Sequence, residues 1–229
     1  MIINFSLGAC WASFFNLVIQ RQLRHESIIF PASHCDSCNH HLAWYDLIPI
    51  ISFIGLWGHC RYCHTKIAKI TLQTELLLGL VFIMVLPNCP SIAKTLILIL
   101  FAYLVTWDYH TQTIPSWPLL AWLGIIILIF PWSFNYLKLF PIYLTVIIIN
   151  HFSTFIGTGD IDILFLLWLT NGLLFTVWVL FLACILAISY LLLRPHLYFH
   201  HRIAFLPFLF GGYALTTQFA PQLLTFTIP

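Results

Sequence analysis

From residue 76 to the C-terminus the chain carries only three acidic side chains, Asp108, Asp160 and Asp162, set in long runs of Leu, Ile, Phe, Val and Trp. Runs of that kind dictate the solvent. Over the 229 residues, 61% are apolar and only 7% charged, whereas a soluble domain carries about 25% charged residues. A polytopic membrane protein follows. One span needs about 20 apolar residues, so the expected fold is all-α, a helical bundle of seven or eight hydrophobic segments. The net charge of +2 is too small to draw nucleic acid, and none is expected as a partner.

Residues 1–20 form the first span. Their basic residues, Arg21 and Arg24, follow the apolar run instead of preceding it, which argues against a cleaved signal sequence. Residues 21–69 are the one extended polar stretch and hold five of the nine Lys/Arg and six of the eleven His. Their positive charge makes this module cytoplasmic and puts the N-terminus outside. Residues 70–229 then form a transmembrane bundle. Spans are expected from about residue 70 to Leu86, from Ile92 to Trp107, after Pro115 to about Trp132, and on to about Phe155, with Ser133–Lys138 as an outer turn. Counting crossings returns Asp108 and Gly157–Asp160 to one side of the membrane. The apolar run 161–193, interrupted at Asn171-Gly172, allows two short spans or one broken re-entrant segment. Arg194, His196, His200, His201 and Arg202 look cytoplasmic, and a last span covers about Ile203 to Ala220. No internal repeat stands out.

Within the polar module, Cys35-x-x-Cys38 and Cys60-x-x-Cys63 have the spacing of a four-thiolate zinc site. A short polar loop cannot build its own core, so a metal supplies the missing folding free energy. Four sulfurs leave no open position for water, which makes the expected zinc structural. A reducing compartment disfavours the alternative of two disulfides. His34, His59 and His64 flank the cysteines as solvated loop residues or substitute ligands. Cys10, Cys89 and Cys184 read as small buried thiols.

Carboxylates at the edge of a bilayer are costly and mark functional sites. Two that share a site cannot both ionise cheaply, so the pair holds one proton. Its ionised member can take a proton from water attacking a carbonyl while the other stabilises the oxyanion and protonates the leaving amine. Asp108 and Asp160 are therefore the candidate catalytic residues of an aspartic peptidase. Gly157 and Gly159 support them by permitting unusual dihedrals and close backbone approach. The bland readings are an interfacial Asp108 and an Asp160 that only caps the following helix. Asp162 reads as a first-turn residue favoured by the helix dipole, and Glu75 as a partner of Lys66 or Lys69.

These residues resemble those of the type IV prepilin leader peptidases, of the small kind serving competence pseudopili in Gram-positive bacteria. Ser13-Phe14-x-Asn16 with Arg21 is similar to the family's first-helix signature. Pro31-x-Ser33-x-Cys35-x-x-Cys38, Leu42-x-Trp44-x-Asp46-x-x-Pro49-x-x-Ser52, Gly58-x-Cys60-Arg61-x-Cys63, Ile67 and Glu75 follow in the family's order. Asp108 with Ile114-Pro115 resembles its first catalytic segment, and Gly157-x-Gly159-Asp160 its second. Phe205-Leu206-Pro207-Phe208 with Gly211 resembles its last-helix signature. The resemblance implies cleavage of pilin-like precursors, after a Gly, at the cytoplasmic edge of the bacterial plasma membrane. Those precursors carry a short basic leader ahead of a long apolar helix. It also implies N-methylation of the new terminus with S-adenosylmethionine, a step associated with the cysteine module, although no glycine-rich nucleotide loop is present and no cofactor-binding residue can be assigned. Ser116, Asp162 and Thr71 depart from the family's usual Asp or Asn, Lys and Tyr, which bears on substrate preference.

Two readings from other classes remain at this point. A proton-coupled transporter would use Asp108 and Asp160 as a relay, and predicts carboxylates at mid-span. A membrane scaffold docking a partner through its zinc loop predicts that the cysteines matter and the aspartates do not.

Overall fold

A computed structural model describes residues 1–89, 91–129, 135–153, 157–193 and 204–225. The charged cluster expected on the cytoplasmic side near the C-terminus, Arg194, His196, His200, His201 and Arg202, lies outside the described residues, as do residues 133 and 134 of the expected outer turn. Among the described residues the protein is helical, with only two isolated β-bridges, His34 with His41 and His59 with Lys66. The chain divides into two compact units, Met1–Pro87 and Asn88–Pro229.

In the first unit, α1 (Ile2–Leu23) packs along α3 (Lys69–Val85). Apolar side chains alone would not draw two helices together in lipid; close backbone approach and shared polar contacts do. Both occur. A Cβ on Gly8 would lie 2.5 Å from the Leu78 carbonyl oxygen, and one on Gly79 would lie 2.6 Å from the Phe5 ring. Buried Asn16 donates to Thr74 Oγ1 at 2.8 Å. Beyond α1, buried Arg21 donates to the carbonyls of Ser27, Ile28 and Pro31 and so folds the chain back on itself. The polar module between the two helices contains only a 3₁₀ turn, Trp44–Leu47, and α2 (Ile51–Gly55).

The second unit comprises α4 (Ile92–Thr111), α5 (Ser116–Ile129), α6 (Asn135–Ser153), α7 (Thr158–Asn171), α8 (Leu173–Leu193) and α9 (Leu206–Thr225). Helix α4 runs one turn past Trp107, where the sequence suggested an end, and so includes Asp108. A single charge does not stop a helix. The stop comes at Gln112, in the left-handed conformation (φ 54°), whose N–H bonds the Asp108 carbonyl. Helix α6 likewise starts at Asn135, inside the expected outer turn. The stretch 161–193 resolves into two helices. Gly172, at φ 90°, separates α7 from α8, a backbone state that L side chains rarely adopt.

Among the described residues, four helices are long and apolar enough to cross a membrane: Ile2–Leu23, Lys69–Asn88, Ile92–Thr111 and Leu173–Leu193. This is fewer than the seven or eight segments expected. Ser116–Leu128 and Leu139–Phe152 are apolar but shorter, and at 1.5 Å per residue a 14-residue helix spans about 21 Å of a core about 30 Å thick.

The α1–α3 contact gives a direct test. Gly8→Val should lower the thermal midpoint of the purified protein by the equivalent of about 1–3 kcal/mol of overpacking, because the obstacle is backbone. Gly55→Ala, with nothing within 4 Å of the added carbon, should leave the midpoint unchanged. Equal midpoints for both variants would contradict the packing described.

Candidate functional site

Asp108 occupies the last turn of α4 and is 6% exposed. Its Oδ2 accepts the backbone N–H of Leu206 at 3.2 Å. Leu206 is the first residue of α9, so a carboxylate from α4 satisfies one of the free N–H groups that every helix start leaves open. Sequence reading placed the Phe205–Phe208 signature on the last helix but gave no sign of this bond, which joins positions 98 apart. It also shows that the chain, after α7 and α8, comes back to the end of the bundle where Asp108 lies.

Asp160 lies in the first turn of α7, half-buried. The helix is capped by Gly157, and no side-chain cap bond is made. Asp160 is thus not the cap. Its carboxylate folds back so that a Cβ on Gly157 would stand 3.0 Å from Oδ2. Its charge acts on the Asp108 carboxyl, which places the two groups in electrostatic reach of one another. Of the two expectations for the glycines, close approach is met at Gly159, while neither glycine adopts a positive φ. Gly157 has an ordinary φ of −58°, and the space beside Gly159 is filled by the Ile114 side chain, which any added Cβ would overlap. Gly159 therefore admits Ile114 from the α4–α5 connection, and the Ile114-Pro115 and Gly157–Asp160 segments meet there.

Asp162 is not a first-turn dipole partner. Two residues beyond Asp160 on α7, it accepts the Tyr143 hydroxyl at 2.6 Å, and the Tyr143 ring stacks on Phe165 with centroids 4.3 Å apart. It ties α7 to α6.

The four cysteines Cys35, Cys38, Cys60 and Cys63 come together, with all sulfurs within 4.8 Å of one another and no disulfide among them. Four thiolates about 2.3 Å from a central zinc would stand about 3.8 Å apart, and Cys35 and Cys63 Sγ are 3.8 Å apart. The cluster can hold a metal ion and is compatible with zinc. His34 and His59 turn away, with Nδ1 directed to the carbonyls of Ala32 (3.0 Å) and Trp57 (2.8 Å).

Each half of the cluster repeats the other, a repeat the sequence reading did not detect. Cys35 N–H bonds the His40 carbonyl and Cys60 N–H that of Thr65; Asn39 N–H returns to Cys35 and His64 N–H to Cys60. Leu42 N–H reaches Ser33 and Ile67 N–H reaches Gly58. Asn39 and His64 share a left-handed φ of 55° and 57°. Backbone N–H groups of Ser37 and Cys38 lower the Cys35 thiol to about 6. The Thr65 hydroxyl lowers Cys63. At Cys38 the His40 N–H acts downward, but desolvation and the neighbouring sulfurs outweigh it and raise the thiol to about 11. Two ion pairs hold the halves in place: Arg24 with Asp36 through two 2.8 Å bonds, and Arg61 with Asp46 at 2.9 Å.

Glu75, expected beside a lysine, is instead 3% exposed, and neither Lys66 nor Lys69 forms an ion pair with it among the described residues. It accepts the Ile50 backbone N–H at 2.7 Å and a bond from Ser13. Ile50 sits at φ 63°, a state costing a β-branched residue about 1–3 kcal/mol, and the charge-assisted bond offsets that cost. A cavity of about 660 Å³ opens between α1, α3 and the module, with Asn16, Arg21 and Glu75 as its buried polar residues.

Comparison with known proteins places these features. The family model described as bacterial peptidase A24 N-terminal domain matches residues 6–89. A prepilin leader peptidase/N-methyltransferase of Myxococcus xanthus is 45% identical over 78 residues, 34% of this chain and 23% of that protein. The protein of the same name from Klebsiella pneumoniae is 33% identical over 122 residues, 49% of this chain and 54% of its own. That of Bacillus subtilis is 33% identical over 121 residues, 50% and 48% respectively. The chain thus spans less than two thirds of the length of each. No solved structure matches. Through the cysteine module and its flanking helices, the chain is related to the type IV prepilin leader peptidases, as the sequence resemblance implied.

Proposed function

We propose that the chain is a membrane aspartic endopeptidase that removes the short basic leader from type IV prepilin-like precursors, of the competence-pseudopilin kind, at the cytoplasmic edge of the plasma membrane. The observation that carries the reading is the buried Asp108 carboxylate within electrostatic reach of Asp160 at one end of the second unit. It is supported by the similarity to prepilin leader peptidase/N-methyltransferases. Both groups lie at helix ends and not at mid-span, which is where a leader joined to an apolar helix presents its peptide bond and where a transporter's relay would not be.

In this mechanism one carboxylate is ionised and the other protonated. The ionised group takes a proton from water as the water oxygen adds to the scissile carbonyl carbon. The protonated group stabilises the oxyanion, and its proton passes to the nitrogen as the C–N bond breaks. The Leu206 N–H, spent on Asp108 Oδ2, fixes that carboxylate's orientation. Ile114 against Gly159 holds the two segments in register.

Zinc bound by Cys35, Cys38, Cys60 and Cys63 serves a structural role in this reading, because all four positions of a tetrahedral ion are sulfur. The second activity in the relatives' names, N-methylation with S-adenosylmethionine, is assigned to the cavity of the first unit. Its volume of about 660 Å³ falls in the range of small-molecule sites, and Glu75 and Asn16 would hold the polar groups of that cofactor. When bound, the cofactor supplies the electrophilic methyl group.

Asp108→Asn and Asp160→Asn should each reduce leader removal by about 10²–10⁴-fold, the usual worth of acid–base groups, at unchanged membrane abundance. Intact-mass analysis of a co-expressed precursor reads the result, and turnover retained in either variant would sink the dyad. The same spectra report a methyl mass on the product. Metal analysis should find about one zinc per chain, lost in a Cys35→Ser/Cys60→Ser variant. Protons compete with the metal for the four sulfurs, so metal should be retained at neutral pH and released on acidification. Retention unchanged down to pH about 4 would argue against thiolate ligation.

A further inference from the structure

The apolar side of α2 has no counterpart in the peptidase reading. Of α2 and the two residues that follow it, Ser52, Phe53 and Leu56 line the cavity, while Ile51, Ile54 and Trp57 do not and are 68%, 62% and 87% exposed. Ile51 and Ile54 stand one turn apart on the helix and Trp57 lies just past its end; three large exposed apolar side chains so close together are costly in water and mark a contact surface.

The depth of that surface is fixed by Glu75. Ile50, the residue before α2, is bonded to the Glu75 carboxylate at 2.7 Å. Glu75 lies six residues into α3, about 9 Å along its axis at 1.5 Å per residue. At that level α3 changes character. Lys69, Thr71, Gln73, Thr74 and Glu75 precede it, and from Leu76 to Val85 no polar side chain follows. Helix α2 is therefore held where a membrane-crossing helix passes from its polar end into its apolar body. The module cannot leave that level, since α1 and α3, both apolar enough to span, enclose it on either side. A Trp at such a boundary has an amphipathic ring suited to the headgroup region. Trp57 and Ile50 are both held at left-handed φ, 54° and 63°, so both ends of α2 adopt a backbone state that bulky residues avoid, and this keeps the Ile51–Trp57 face outward.

We infer that α2 is an interfacial foot: Ile51, Ile54 and Trp57 rest on the acyl-chain boundary of the same bilayer that α1 and α3 cross. The occupant of this face is lipid. The foot holds the cavity wall formed by Ser52, Phe53 and Leu56 at a constant height above the membrane.

The test uses the full chain in native membranes. A photoreactive benzoylphenylalanine is placed singly at Ile54, at Trp57 and, as a control, at His41, an exposed polar position of the module. After illumination, intact-mass analysis should show phospholipid adducts at Ile54 and Trp57 in several-fold excess over His41. Adducts to a second copy of the chain or to another protein at both positions would overturn the inference, as would lipid labelling no greater than at His41. A second measurement avoids the bulky label. In vesicles, the fluorescence lost in Trp57→Phe should be quenched more by lipids brominated high on the acyl chain than by lipids brominated near its end. A Trp57 component untouched by either lipid would equally overturn it.

Discussion

A carboxylate in an apolar environment must find a donor, and the described structure is arranged around three that do. Glu75 accepts from Ile50, Asp108 from Leu206 and Asp162 from Tyr143. Each bond joins a helix to a different element of its own unit. Apolar helices in lipid have little hydrophobic preference for one another, so these few polar bonds, with the close approaches at Gly8, Gly79 and Gly159, select one packing among many of similar energy. Residues that are expensive to place thereby become the ones that specify the arrangement.

The polar module solves a different problem. It has almost no regular secondary structure and no core of its own, and among the described residues its order comes from two copies of one turn. Each copy closes by the same backbone bonds and the same left-handed residue after its second cysteine. The copies differ in outward contacts: one is held to the end of α1 through Arg24 and Asp36, the other to the 3₁₀ turn through Arg61 and Asp46. The exposed pair adds little stability by itself. The Asp46 side chain, 2% exposed, contributes more to position.

Much of the site could be read from residue order. Asp108, Asp160 and the four cysteines are conspicuous because charge and thiol clusters are rare in so apolar a chain, and periodicity plus crossing parity put both aspartates at one end. Glu75 was visible but misassigned. A neighbouring lysine is the simplest partner on paper, whereas burial beside α1 removed the lysines from reach and brought the Ile50 N–H in. Gly159 was also visible, and its neighbour, Ile114, was not: which side chain fills a glycine's space depends on helix packing.

What the sequence by itself determined is the solvent, the helical class, the metal-competent cysteine spacing and the identity of the rare carboxylates. These follow from composition and local periodicity, which do not depend on how segments meet. Tertiary structure alone decided the partner of each carboxylate, the extension of α4 through Asp108, the positive φ at Gly172 that makes two helices of the interrupted 161–193 run, and the outward face of α2. Each of those turns on one hydrogen bond or one backbone dihedral between segments far apart in the chain or set by packing. Pairings of that kind leave no mark in local residue order, because any apolar helix can pack against any other until a specific polar contact chooses between them.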